Sequence, residues 1–375
     1  MSQQEVAVIV GTRPEVLKMA PVLLALRKRS SFRSILLSTG QHREMLDQGL
    51  KVFDMRPDIE LATMRHDQSL AKLSARLAGA FDETFHARHP DMILVQGDTT
   101  SAFVASLVAY YHGIPVGHVE AGLRTASKRN PFPEEINRRL VSCIADVHFA
   151  PTDSARQNLL RDGVAADTIH VTGNPIVDSL QFIASSSHVQ FDDPEIAAWR
   201  RPSARLVLVT AHRRENFGRG LQEICRALRT LAQRYADVQF LFPVHMNRSV
   251  SLTVNRNLSG VANIKLTGPL DYRLFVGLMQ QCHFVLTDSG GIQEEAPTFA
   301  KPVLVMRETT ERPEGVAAGC AALVGVESDS IVANASALLD SPTRYKEMAL
   351  WRSPYGDGCA AMRIASIVAE KLGVG

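Results

Sequence analysis

The sequence predicts an α/β protein made of two Rossmann-like, doubly wound halves. Short apolar runs rich in Val and Ile recur along the chain, each closing on Gly or a small polar cluster. They are nearly continuous in apolar character, as strands buried on both faces of a parallel sheet are. Amphipathic stretches separate them, and after a polar interval the alternation starts again. The chain has 375 residues, enough for two cores at ~100–200 residues per domain.

In the first half, strands are expected at residues 6–11, 35–40, 92–97, 116–120 and 147–151. Helical patterns fill 14–29, 69–88 and 99–112. A second strand set follows at 206–210, 239–244, 264–267, 284–287 and 302–306. The turn at 171–175 and the polar stretch at 184–193 put a hinge near 173–200. A second crossing is expected near 351–358, where RSPYGDG breaks the last helical pattern. The expected division is a first domain of residues 1–172, joined by a C-terminal helix at 355–375, and a second of 173–354. The active-site cleft is expected between them. Ligands of such sheets sit outside the carboxyl ends of the strands, so the chemistry is sought in the loops that follow them.

Composition narrows the classes. The chain is 45% hydrophobic, 21% charged and 6% aromatic, which excludes a disordered chain, a collagen-like repeat and a coiled coil. Its 41 Lys and Arg against 39 Asp and Glu leave a net charge of +2. No global field advertises nucleic acid or a membrane, so any anion site must be local. The N-terminal apolar run is a strand rather than the core of a signal peptide, and no stretch has the length of a membrane span. Five scattered cysteines without a CxxC pair read as reduced, mostly buried thiols of a cytoplasmic protein.

The loops carry the chemistry. Gly11-Thr12-Arg13-Pro14-Glu15 opens a helix with Lys18 one turn in. Pro14 suits a first helical turn, and Arg13 and Lys18 would add cations to a helix N-terminus that already favours anions. That is a phosphate clamp or a capped surface turn. Gln96-Gly97-Asp98-Thr99-Thr100 follows the third strand and reads equally as a helix cap. After the fourth strand, alternation puts His118 and Glu120 on one face. A carboxylate at the mouth of a buried strand is costly unless paired or used. No third ligand with metal spacing accompanies them, so no metal site is expected. In NPFPEEINRR (130–139) the paired acids Glu134 and Glu135 begin a helix, and Arg138 is available to Glu134 as an i,i+4 partner.

In the second half, His212-Arg213-Arg214 follows a strand and suits a charged leaving group, or is simply a solvated charge run. His245 reads as a structural partner. Asp288-Ser289-Gly290-Gly291 opens a helix carrying Glu294 and Glu295. Its small residues permit close approach of backbone amides to a diphosphate, and an acid one turn in can accept from ribose hydroxyls. Arg312 adds a further cation. There is no GxxxxGK[ST] loop, and the GxGxxA pattern at 356–361 follows no strand, so no motif asks for NAD.

Taken in order, these loops resemble the non-hydrolysing UDP-N-acetylglucosamine 2-epimerases, whose two-domain fold is that of the GT-B glycosyltransferases. The matching segments are GTRPEVLKMAPV (11–22), GQHREM (40–45), QGDTTS (96–101), GHVEAGLRT (117–125), NPFPEEINRR (130–139), VTGNPIVD (171–178), TAHRREN (210–216), TDSGGIQEEAP (287–297), TTERPE (309–314) and YGDGCAAMRI (355–364). The resemblance implies that UDP-GlcNAc is converted to UDP-ManNAc by anti elimination of UDP to 2-acetamidoglucal and re-addition, for surface polysaccharide precursors. It implies no cofactor and no metal, and a homodimer. By resemblance Asp98, Glu120 and Glu134 are the acid/base carboxylates and His212 stabilises the departing diphosphate. Arg13, Lys18, Ser289, Gly290, Gly291, Glu295 and Arg312 map onto nucleotide and phosphate contacts, Phe275 onto the uracil pocket and Arg138 onto the sugar end.

Two departures stand out. Leu270 occupies a place by the uracil where many relatives are polar. Bacterial relatives activated by a second UDP-GlcNAc carry Q-H-R-Q and R-Q-T-L segments, where this chain has QHRE (41–44) and DQSL (67–70). Two acids near a diphosphate predict weakened or absent activation. Three other functions compete with the epimerase: a hydrolysing relative releasing N-acetylmannosamine and UDP, a glycosyltransferase on the same fold, and a UDP-sugar sensor. The three strand-end carboxylates exceed what donor binding or sensing requires.

Overall fold

Parallel strands buried on both faces form the centre of two separate units in the computed structural model, Met1–Gln181 with Tyr355–Gly375 and Phe182–Pro354. The structure describes residues 3–374 except 41–42, 62, 64–67, 126, 130, 186–192 and 350–352, and excepting the side chains of 43–45 and 214. Gln41, His42, Asp67 and the Glu44 side chain, on which the expectation about activation rests, lie outside the described residues, as do most of the polar stretch after 185 and part of the crossing at 351–358.

The first unit runs β1 (Gln4–Val10), α1 (Arg13–Arg27), β2 (Phe32–Ser38), α2 (Arg43–Val52), β3 (Ile59–Glu60), α3 (Leu70–Arg88), β4 (Met92–Gln96), α4 (Thr100–Tyr111), β5 (Val116–Val119), α5 (Glu134–Ile144), β6 (Val147–Ala150), α6 (Asp153–Arg161), β7 (Ile169–Val171) and α7 (Pro175–Ser185). The second runs α8 (Pro194–Trp199), β8 (Arg205–Thr210), α9 (Arg219–Arg234), β9 (Val238–Pro243), α10 (Arg248–Leu258), β10 (Ile264–Thr267), α11 (Tyr272–Gln281), β11 (Phe284–Thr287), α12 (Gly290–Glu295), β12 (Val303–Val305), α13 (Pro313–Ala317), β13 (Ala321–Leu323), α14 (Ser328–Asp340) and α15 (Pro342–Met348). Helix α16 (Ala360–Lys371) returns to the first unit.

The step between units falls after Gln181, later than the expected 172/173. Helix α7 packs its first turns on the first unit: Ile176, Val177 and Leu180 are buried, and the Ser179 hydroxyl donates to the Leu17 carbonyl. The expected strand positions match the central strands and the edge strand β10. The edge strands β3, β7 and β13, only two or three residues long, were not anticipated, because so short a strand leaves no apolar run to read.

Each sheet is parallel throughout. The orders are β3-β2-β1-β4-β5-β6-β7 and β10-β9-β8-β11-β12-β13. Strand order therefore reverses between β1 and β4 in the first unit, and between β8 and β11 in the second. Ligands of doubly wound sheets bind outside the carboxyl ends at such a switch.

Side-chain alternation feeds a core on each face. In β8, Val207 and Val209 join one cluster and Leu206 and Leu208 the other; in β11, Phe284 and Leu286 oppose Val285. Each such buried side chain contributes roughly 1.5–3 kcal/mol of transfer free energy. Helix starts are fixed locally. The Ser69 hydroxyl accepts from the Lys72 amide at 3.3 Å and the Thr99 hydroxyl from the Ala102 amide at 3.0 Å. Among the described residues no helix is long and apolar enough to cross a membrane. The five cysteines are free, and burial pushes the thiols of Cys225 and Cys282 up to about 12 and that of Cys320 to about 11.

Candidate active site

In the first unit the site begins at the β1/β4 switch. The carboxylate of Glu15, in the first turn of α1, accepts from the Gly11 amide at 3.0 Å and the Thr99 hydroxyl at 2.7 Å. It stitches the loop after β1 to the loop after β4. Burial pushes its carboxyl up, and those hydrogen bonds pull the other way.

Gly97 is clamped from both sides. Its amide donates to the Val119 carbonyl at 3.0 Å, and its carbonyl lies 2.8 Å from His118 Nε2. His118 is fully buried, and burial pushes its pKa down to about 3, so the ring is neutral. A carbonyl only accepts, which places the ring proton on Nε2.

Strand β5 ends at Val119, and Glu120 has φ +61. Simple alternation of His118 and Glu120 therefore stops one residue short. Holding a Glu in the left-handed region costs about 1–3 kcal/mol and persists only where the surroundings over-determine it. They do so here. Glu120 Oε1 accepts from Lys18 and, at 3.0 Å, from Asn174 Nδ2, while Oε2 accepts from Gln96. Lys18, read as part of a phosphate clamp, thus meets a carboxylate.

Asp98 lies in the loop after β4, beside β5 in the sheet. Arg138 donates to its carboxylate, and Asn137 Nδ2 donates to its backbone carbonyl at 3.0 Å. The expected Glu134–Arg138 pairing is not the one formed. Arg138 turns to Asp98, with Nη1 at 3.4 Å from Glu135, and the i,i+4 pair is Glu135–Arg139 at 2.8 Å. Glu134 and Arg13 head α5 and α1, both partly exposed. The loops after β1, β4 and β5 and the start of α5 thus gather Lys18, Asp98, Glu120 and Arg138 at one end of the sheet.

In the second unit the β8/β11 switch is organised by Asp288. Its fully buried carboxylate accepts from the amides of His212 (3.1 and 3.0 Å) and Arg213 (2.9 Å) and from Asn216 Nδ2 (3.0 Å). Burial pushes the His212 imidazole down, while Asp288 opposes that shift and Arg213 and His245 add to it. His245 stacks on His212 with ring centroids 5.8 Å apart.

Ser289, Gly290 and Gly291 open α12, which also carries Glu295. Glu311 accepts from Arg213 at 2.8 Å and Arg307 at 2.7 Å. Burial alone would raise its carboxyl, but Arg312, Arg213 and Arg307 outweigh that and hold it at about 2. Arg312 donates to the buried Glu294. Phe275 packs with Leu270 and Leu274 against the cluster that includes Ile292 of α12.

Glu15, Asn174, Asp288 and Glu311 escaped the sequence reading as organisers, although each lies within a motif already singled out. Their partners come from distant segments, which spacing does not reveal. Among the described residues no group of three or more His, Cys, Asp or Glu side chains is placed to hold a metal.

Comparison with known proteins shows the family. Residues 24–369 match the family described as UDP-N-acetylglucosamine 2-epimerase. The UDP-N-acetylglucosamine 2-epimerase of Yersinia pestis is 47% identical over 96% of this chain and 97% of its own. That of Escherichia coli strain K12 is 46% identical over 96% and 97%. The crystal structure of UDP-GlcNAc 2-epimerase from Neisseria meningitidis bound to UDP-GlcNAc superposes with a TM-score of 0.91 at 42% identity, covering 98% of this chain and 100% of that one. The doubly wound pair of units is thus the GT-B-like fold of these enzymes, and the chain belongs to the UDP-N-acetylglucosamine 2-epimerase family.

Proposed function

We propose that the protein interconverts UDP-GlcNAc and UDP-ManNAc by eliminating and re-adding UDP, without net hydrolysis, for surface polysaccharide synthesis. The C2 hydrogen beside an acetamido group is too weakly acidic for a side chain to remove as an isolated step. Anti elimination avoids that difficulty: a base takes the C2 proton, its bonding electrons form C1=C2, and the C1–O electrons leave with UDP. Re-addition of UDP to C1, with a proton delivered to the other face of C2, gives the epimer. The sequence of steps balances without a redox cofactor.

The observation that carries this reading is the pair Asp98 and Glu120 on adjacent strand ends, each engaged by a cation, Arg138 and Lys18. Proton removal and proton return need two positioned groups, and Glu134 at the head of α5 completes the proposed carboxylate set. The proposed roles fall into two groups. Asp98, Glu120, Glu134 and Arg138 handle the sugar. His212, the amides of Ser289–Gly291, Glu295 and Arg312 hold the nucleotide, with Phe275 toward the uracil and Arg13 and Lys18 toward the phosphates. An imidazole that is neutral when free can take up charge as diphosphate anion develops beside it.

The test is incubation with UDP-GlcNAc in D2O without NAD, followed by proton NMR. UDP-ManNAc carrying deuterium at C2 is the expected product. Free N-acetylmannosamine and UDP would replace this reading with hydrolysis, and an unchanged spectrum would remove it.

A further inference from the structure

Glu120 is tied to the place where the chain leaves and rejoins the first unit. Asn174 sits just before α7, buried to 1% exposure. Its amide N–H donates to the Tyr355 carbonyl at 2.7 Å. Its side-chain oxygen accepts from the Ile176 amide at 3.1 Å. That contact fixes the orientation of the carboxamide, so Nδ2 must point the other way, and there it donates to Glu120 Oε1 at 3.0 Å. A neutral donor is thereby held against a carboxylate by two backbone contacts.

The flanking residues show how close the two segments come. Gly173 has φ +87 and Gly356 φ +140, both conformations that side chains disfavour. A Cβ on Gly356 would lie 3.4 Å from the Asn174 nitrogen and 3.4 Å from Gly173 Cα. The outgoing and returning strands of chain therefore touch backbone to backbone. Asp178 extends the seam by accepting from the amides of Ala360 and Ala361 at 3.3 and 2.9 Å. Gln181 Nε2 donates to the Asp357 carbonyl at 3.3 Å. Within this seam, the Asn174 side chain reaches Glu120.

We propose that Asn174 is a positioning residue, coupling the paired crossing segments at 173–174 and 355–356 to the Glu120 carboxylate. Any shift of the returning segment moves the Asn174 backbone, and with it the donor that helps hold Glu120 in its left-handed conformation. The proposal rests on the reading of Glu120 as an acid/base group in the epimerisation.

The experiment uses the full chain and UDP-GlcNAc turnover. Asn174→Asp keeps an oxygen for the Ile176 amide, removes the donor and sets a second carboxylate against Glu120. Expected are a kcat loss of roughly tenfold or more, as for loss of one charge-assisted hydrogen bond, with KM within about twofold. Like charge favours the protonated carboxyl, so the acid limb of the kcat profile should move to higher pH. Gly356→Ala, whose Cβ would meet the backbone of Gly173 and Asn174 and not Glu120, should also lower kcat, and the double variant should be no slower than the worse single one. If Gly356→Ala does not fold, Gly173→Ala presses on the same contact from the other side. Should Asn174→Asp not fold, Asn174→Ser keeps an oxygen for Ile176 and must still lose kcat with KM held. An unmoved pH limb in Asn174→Asp, a kcat unchanged in either Asn174 variant, or losses that simply multiply in the double variant would overturn the coupling. Glu120→Gln separates the two claims. Wild-type turnover in that variant would sink the acid/base reading itself, whereas an inactive Glu120→Gln beside a normal Asn174→Asp would sink only the coupling.

Discussion

The backbone amide of His212 lies 3.1 and 3.0 Å from the two oxygens of Asp288, and the imidazole Nδ1 of the same residue is 3.4 Å from Oδ1. One buried carboxylate therefore sets both the loop after β8 and the ring it carries. Asp288→Asn should cost about 1–3 kcal/mol of stability, because amide donors would face a carboxamide that is itself half donor. It also removes the carboxylate charge that raises the His212 pKa, leaving burial, Arg213 and His245 to lower it further. If the imidazole must carry a proton taken from solvent when UDP leaves, the basic limb of kcat/KM should move to lower pH. Thermal melts and a pH series with UDP-GlcNAc check both parts, and an unmoved limb would take His212 out of the titrating role.

Gly290 and Gly291 separate a protein requirement from a ligand requirement. A Cβ on Gly290 would come within 2.8 Å of Glu311 Oε1 and 3.2 Å of Arg213 Nη2, displacing a carboxylate held by Arg213 and Arg307. On Gly291 the closest atom would be Glu295 Oε1 at 3.6 Å, an ordinary contact. Gly290→Ala should lower both melting temperature and UDP affinity. Gly291→Ala should leave the melt unchanged and still weaken UDP roughly tenfold or more, since a methyl group would stand where a diphosphate must approach the amides. Calorimetric titration with UDP decides it: unaltered affinity in Gly291→Ala would place the diphosphate elsewhere.

Arg138 uses its fork. One nitrogen serves Asp98 and another lies 3.4 Å from Glu135. Lysine offers a single charged centre and cannot reproduce that geometry. Arg138→Lys is expected to fold, because Glu135 keeps Arg139 at 2.8 Å, yet to lose about 10–100-fold in turnover through a misplaced Asp98. Circular dichroism and deuterium incorporation at C2 are the readouts. Turnover within about twofold of wild type would show that Asp98 does not depend on the fork.

Much of the fold was legible because central parallel strands must be apolar on both faces, which leaves runs such as Val6–Val10 in β1 that little else explains. The candidate loops were legible because they end those strands. Pairings between loops were not. Nothing in the spacing distinguishes Glu134 from Glu135 as a partner for an arginine, and the choice follows from Asp98 standing in a loop forty residues earlier in the chain. The left-handed backbone of Glu120 was also invisible, since period-two alternation carries no information about where a strand stops. Asp288 looked like a small-residue neighbour of a glycine turn, and its use as an acceptor for two amides after β8 depends on strand order, which a linear pattern does not contain.

Buried histidines make stability fall with acid. Burial pushes the His283 ring down to about 4, against about 6.5 in an unfolded chain. Between those values the unfolded state holds a proton that the native state does not, so the contribution is full above about pH 6.5 and is lost as pH falls toward 4. Each such group contributes a slope of up to about 1.4 kcal/mol per pH unit in that window. His283 is separable from the site: its ring stacks on Tyr345 with centroids 4.1 Å apart and planes 4° apart. Phenylalanine can keep that stack without titrating. His283→Phe should therefore show a shallower loss of urea stability between pH 6.5 and 4 than the natural chain. Parallel pH slopes for the two proteins would mean that His283 accepts its proton in the folded state as readily as in the unfolded one.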